Sequence, residues 1–140
     1  MSILYILLTL LIFTVLVVVH EAGHFAVAKL SGILVEEFSV GMGPIVFSKK
    51  IGETLYSVRA FPMGGFCRMA GEDEESSDSR SFNNKNVFAR MAVVFTGPLM
   101  NFIFAFLAVF IVSSTAASMA FPAVGEVLST SNAVNQGLEK

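Results

Sequence analysis

Residues 3–30 read ILYILLTLLIFTVLVVVHEAGHFAVAKL. Residues 3–19 contain no charged side chain, and before Leu30 only His20, Glu21, His24 and Lys29 break the apolar run. At 1.5 Å per residue, a helix of this length exceeds a hydrocarbon core of about 30 Å. A cleaved signal peptide fits poorly, because no Lys or Arg precedes the run and the run is longer than an ordinary signal core. Residues 1–30 are therefore expected to form a retained transmembrane helix.

A second uncharged block, residues 91–121, lies toward the other end. It contains Gly97-Pro98, where proline removes a backbone donor and is expected to kink the helix. Asn101 follows Gly97 by four residues, so the two share one helical face. In hydrocarbon an asparagine faces another helix or a polar cavity, and interhelical bonding is its simplest role. The second span is expected over residues 87–121. Composition agrees: 54% of the chain is hydrophobic and 14% charged, against roughly a quarter charged in soluble domains. The formal charge of -2 says little, because its distribution matters more than its sum, and no basic surface suits nucleic acid. Cys67 is the single cysteine, so no intrachain disulfide forms.

Eight of the nine Lys and Arg residues, from Lys29 to Arg90, lie between or beside the two blocks. Short loops rich in Lys and Arg stay cytoplasmic, which places the middle segment inside and both termini outside. His20 then lies about 25 Å along the first helix, toward its cytoplasmic third. The middle segment, residues 31–71, is expected to be a membrane-associated β-rich loop. Residues 33–40 read as one strand, ended by Gly41-Met42-Gly43-Pro44. Residues 44–60 read as a hairpin, with Tyr56, Val58 and Ala60 on one face and Ser57 and Arg59 on the other. Pro62-Met63-Gly64-Gly65 marks a further turn before residues 66–69. Residues 72–86 begin with the acidic run Glu-Asp-Glu-Glu-Ser-Ser-Asp and read as a solvated, flexible loop. That run lacks the ligand spacing and glycine of a calcium loop. The chain thus reads as a mainly α membrane protein, two transmembrane helices joined by a cytoplasmic, membrane-associated β-hairpin loop.

His20-Glu21-Ala22-Gly23-His24 carries the chemistry. Histidines four apart share a helical face and can present ring nitrogens to one ion, the arrangement of a zinc-binding helix turn. Glu21 projects beside that ion and can act as general base toward water that zinc acidifies. Catalytic zinc takes three protein ligands plus water, and His20 and His24 are the only histidines, so the third ligand is a carboxylate or comes from elsewhere. The competing reading is a non-catalytic module in which His20, Glu21 and His24 bond helices together without metal. Three ionisable groups on one turn at membrane depth are costly, which favours function.

The chain resembles the site-2 proteases (peptidase M50), in particular bacterial RseP-like intramembrane metalloproteases. The resemblance rests on His20-Glu21-Ala22-Gly23-His24-Phe25, on residues 38–44 (FSVGMGP) and on residues 62–69 (PMGGFCRM). It continues through residues 81–90 into Gly97-Pro98-Leu99-Met100-Asn101. It implies zinc as cofactor, His20 and His24 as ligands and Glu21 as general base. It implies that residues 41–69 help present an extended substrate strand, with Gly43, Gly65 and Asn101 as substrate-binding residues. It further implies membrane-protein substrates, such as anti-sigma factors or signal-peptide remnants, and a multi-pass place in the bacterial cytoplasmic membrane. Residues 122–140 resemble a truncated start of a PDZ-like domain. The family's Leu-Asp-Gly motif, source of its third zinc ligand, is absent from the chain. That ligand is expected from the remainder of a longer protease, and the fragment alone is expected to be inactive.

Overall fold

The computed structural model of the chain describes residues 2–74 and 76–115. Helix α1 spans Ile3–Leu30 and helix α2 spans Val87–Thr115. Both are long and apolar enough to cross a membrane, which agrees with the two expected spans. The expected end of the second span and the PDZ-like start lie outside the described residues. Residues 2–107 form one compact unit, and everything below concerns that unit.

Helix α1 ends in a Schellman motif. Gly32 takes the left-handed conformation (φ 66°), its N–H donates to the Lys29 carbonyl, and the Ile33 N–H donates to that of Ala28. Ile33 and Ala28 are both buried, so the cap joins a small core with Val35, Cys67, Met69 and Val93. This core sits at the charged end of α1, where the helices and the sheet meet. Phe25 stacks edge-on against Phe38 and Tyr56, with ring centroids 5.3 and 5.9 Å apart, and seats the sheet on α1.

Two strands, β1 (Val35–Ile51) and β2 (Thr54–Met69), form an antiparallel hairpin around Gly52 and Glu53. The expected breaks at residues 41–44 and 62–65 are bends within continuous strands. Positive φ at Gly41, Gly43 and Gly64 allows the bends while pairing continues through register shifts. The bends fold the hairpin back on itself. Residues 37–40 therefore pair on one side with residues 65–68, running antiparallel, and on the other with residues 55–58, running parallel. Residues 45–51 pair with residues 54–59, so the hairpin behaves as four segments with residues 37–40 inside.

Its polar and apolar faces are inverted relative to a soluble sheet. Glu37, Ser39, Thr54 and Ser57 are buried, whereas Met42, Val46, Phe47, Phe61 and Met63 are more than half exposed. The bend lies beside the apolar middle of α1, where the Thr14 hydroxyl donates to the Pro62 carbonyl. The buried polar groups satisfy one another. Glu37 accepts from Ser57 Oγ at 2.6 Å and Arg59 Nη2 at 2.7 Å, and Arg59 also reaches Ser39 Oγ and the Gly43 carbonyl. At the hairpin turn, Glu53 binds Lys29 at 2.9 Å and Arg80 at 2.8 Å, tying the turn to α1 and to the following loop.

The second half of that loop, after the acidic run, is held by hydrogen bonds. Leu34 and Arg80, and Ala70 and Phe82, are joined through backbone bonds. Asn84 bonds the Asp78 carbonyl, a short 3-10 turn covers Phe82–Asn84, and the Asn86 side chain caps α2 by accepting from the Ala89 N–H.

Burial raises the Glu37 pKa, but the bonds from Ser57 and Arg59 outweigh it and hold the carboxyl below its ordinary range. A lowered folded-state pKa gives stability that is full at neutral pH and is lost as pH falls through that pKa. Amide exchange over residues 35–69 should therefore accelerate in acid. Glu37→Gln should weaken the sheet at pH 7 by about 1–3 kcal/mol and remove most of that acid sensitivity. Equal acid sensitivity in wild type and variant would contradict this account.

Candidate metal centre

The helices meet through two glycines. A Cβ on Gly23 of α1 would come within 2.8 Å of Met100 Cγ and of the Thr96 carbonyl oxygen on α2. A Cβ on Gly97 of α2 would come within 2.7 Å of His20 Nε2 and closer still to His24 Nε2. The two imidazole Nε2 atoms thus converge on one point, against the bare backbone of Gly97. The rings stand almost perpendicular, with centroids 4.8 Å apart.

Helix α2 also engages the other ring nitrogens. His24 Nδ1 lies 2.7 Å from the Val93 carbonyl oxygen, and His20 Nδ1 lies 3.2 Å from the Asn101 carboxamide. Val93, Gly97 and Asn101 are spaced by four, the same interval as His20 and His24, so one stripe of α2 faces one turn of α1. Sequence reading placed Gly97 and Asn101 on one face but missed Val93, whose contribution is a backbone carbonyl that no side-chain motif announces. The only signal for it was its position one turn before Gly97.

A cavity of about 370 Å³ opens beside Glu21 and His24. Its walls are residues 66–69 of β2, Glu72 and Asp73, Phe82, and Val93 and Val94 of α2. The Cys67 thiol in this wall is pushed up to about 12, mainly by burial and next by the Glu21 carboxylate, so it stays protonated. Sequence reading did not single out Arg68, Glu72 or Asp73, which line the cavity with Glu21.

The other expected residues lie apart from it. Gly43 packs under the Phe61 ring at the bend, and Gly65 pairs with Val40 against the Ser39 carbonyl, facing Val17 of α1. Neither lines the cavity, and nor does Asn101.

The arrangement fits zinc as far as it goes. A ligating histidine normally donates its second ring N–H to a carbonyl, carboxylate or water. His24 has such an acceptor in Val93, and both Nε2 atoms share one focus. Among the described residues no third His, Cys, Asp or Glu joins them. If the pair held zinc, it would supply two ligands of a larger set. A methyl group at Gly97 would occupy that focus, so Gly97→Ala should lower zinc retention about tenfold or more while the protein still accumulates. Zinc measured per purified molecule checks this.

Comparison with known proteins agrees with the geometry. The model of the family described as Peptidase family M50 matches residues 8–139. A Clostridium perfringens protein provisionally named a zinc metalloprotease is 47% identical over 136 residues, covering 97% of this chain and 40% of the relative. A Clostridium acetobutylicum protein named in the same way is 42% identical over 139 residues, covering 99% of this chain and 41% of the relative. The zinc metalloprotease RasP of Geobacillus kaustophilus is 54% identical over 67 residues, 48% of this chain and 16% of that protein. The chain spans about two fifths of the length of the first two relatives. Its apolar helices, its histidine pair and these matches together show that the chain belongs to peptidase family M50, the site-2 protease family.

Proposed function

We propose that this chain is the part of an intramembrane zinc metalloprotease that bears the general base and two of the zinc ligands, and that the whole protease cleaves transmembrane segments of other membrane proteins. The observation that carries this reading is the convergence of His20 and His24 Nε2 on Gly97, with Glu21 opening on the adjoining cavity. His20 and His24 hold zinc through Nε2, and the third ligand comes from another segment of the protease. Zinc, when bound, supplies Lewis acidity that makes water nucleophilic near neutral pH. Glu21 accepts a proton from the attacking water and delivers it to the amide nitrogen as the peptide C–N bond breaks.

A peptide bond inside a helix must be unwound before it can be attacked. Among the described residues, 65–69 pair with the start of β1 alone, and residues 66–69 of this edge wall the cavity beside Glu21. An extended substrate segment added to the edge would satisfy its own backbone and lie next to the base. In this reading Gly65 begins the receiving edge, and Gly43 shapes the bend that carries its neighbours. The exposed apolar side chains of the bend lie in the membrane, and the rest of the Lys- and Arg-rich segment between the helices lies in the cytoplasm.

A second reading has its own support: His24 to Val93 and His20 to Asn101 are bonds that would tie α1 to α2 without metal. Metal analysis of the protein at the length of its relatives separates the two, since a packing module would hold no zinc. Glu21→Gln should reduce cleavage at least about 100-fold with zinc content and membrane accumulation unchanged. Undiminished cleavage would refute Glu21 as the base. A reporter inserted near Ser77 should register cytoplasm, and an external signal would overturn the orientation.

A further inference from the structure

The two histidines face different kinds of partner on α2. The Val93 carbonyl can only accept, so His24 donates from Nδ1 and its Nε2 carries a lone pair. The Asn101 carboxamide can either accept through Oδ1 or donate through Nδ2. With Nδ2 toward the ring at 3.2 Å, His20 Nδ1 must accept, and its proton moves to Nε2. That proton would then point at the focus beside Gly97 where His24 offers a lone pair. In the same orientation Asn101 Oδ1 is buried without a partner among the described residues.

Rotating the carboxamide by half a turn exchanges two nearly isosteric ends. It places Oδ1 on the ring and leaves the amide nitrogen as the group without a partner. Hydrogen-bond satisfaction within the chain therefore does not choose between the orientations. The metal does, because two lone pairs are needed at one point, and only the rotated carboxamide frees the one on His20. We propose that Asn101 is a positioning residue that accepts the His20 Nδ1 proton through Oδ1 and so presents Nε2 to zinc. The role suits Asn101 better than substrate contact, since its free end is covered and does not open on the cavity. This inference rests on the zinc reading above.

The test uses the protein at the length of its relatives, with zinc affinity measured by chelator competition. Asn101→Asp replaces the carboxamide by a near-isosteric group that, ionised, can only accept. It should bind zinc at least as tightly as wild type, whereas Asn101→Leu should bind about 10–100-fold more weakly. A purely structural asparagine would be harmed by both changes, and most by the buried charge. Equal weakening in Asp and Leu, or no weakening in Leu, would overturn the proposal. Ring-nitrogen NMR of the zinc-loaded wild type needs no variant: the proton of His20 should reside on Nδ1, and a proton on Nε2 would overturn it. A wild type that takes up no zinc brings down the zinc reading itself. A zinc-bearing wild type indifferent to Asn101 brings down this proposal alone.

Discussion

The structure depends on how closely α1 and α2 approach where Gly23 and Gly97 face each other's helix. Between lipid-exposed helices there is little hydrophobic drive, so small residues and interhelical bonds decide where helices meet. Here the lack of a side chain on Gly97 does more than permit contact: it creates the space on which both imidazole Nε2 atoms converge. A larger residue would separate the helices and spread the nitrogens. The Val93 carbonyl and Asn101 then act at a distance fixed by that approach. The convergence of the two imidazoles is thus a product of packing as much as of the motif on α1.

The hairpin meets the same environment in a different way. Its buried side carries Glu37, Ser39, Thr54 and Ser57, and its exposed side carries Met42, Phe47, Phe61 and Met63. Arg59 reaches Glu37, Ser39 and the Gly43 carbonyl, so the polar interior is closed on itself. Such an interior would be a poor core in water, where apolar residues belong inside. It is consistent with the proposed membrane placement, in which lipid would accept the exposed apolar face and shield the charge pair.

Much of this was legible in the residues. The two uncharged blocks announced the helices, and α1 ends at Leu30 as expected because Gly32 provides the left-handed cap. The motif on α1 singled out His20 and His24 because the period of a helix fixes which residues share a face, and the structure brings their Nε2 atoms together beside Gly97. The sheet was only partly legible. Gly41, Gly43 and Gly64 look like terminators, yet they allow strands to bend without ending, and local propensity cannot distinguish a bend from a break. The parallel pairing of residues 37–40 with 55–58 is a long-range contact that no local pattern encodes. The end of the loop after Met69 was not legible in composition, because Arg80 and Phe82 are held by backbone bonds to Leu34 and Ala70.

The place of residues 37–40 between two segments of β2 also bears on how the chain assembles. These residues are among the first of the sheet to be synthesised, and their partners include some of the last, residues 65–68. Until residues 57–59 have been made, the carboxylate of Glu37 has neither Ser57 nor Arg59 to receive it. Water must serve as its partner during that interval. The polar interior can therefore close only once Arg59 has been made, whereas the outer pairing of residues 37–40 waits for residues 65–68, so the two sides of this central segment are completed at different points of synthesis.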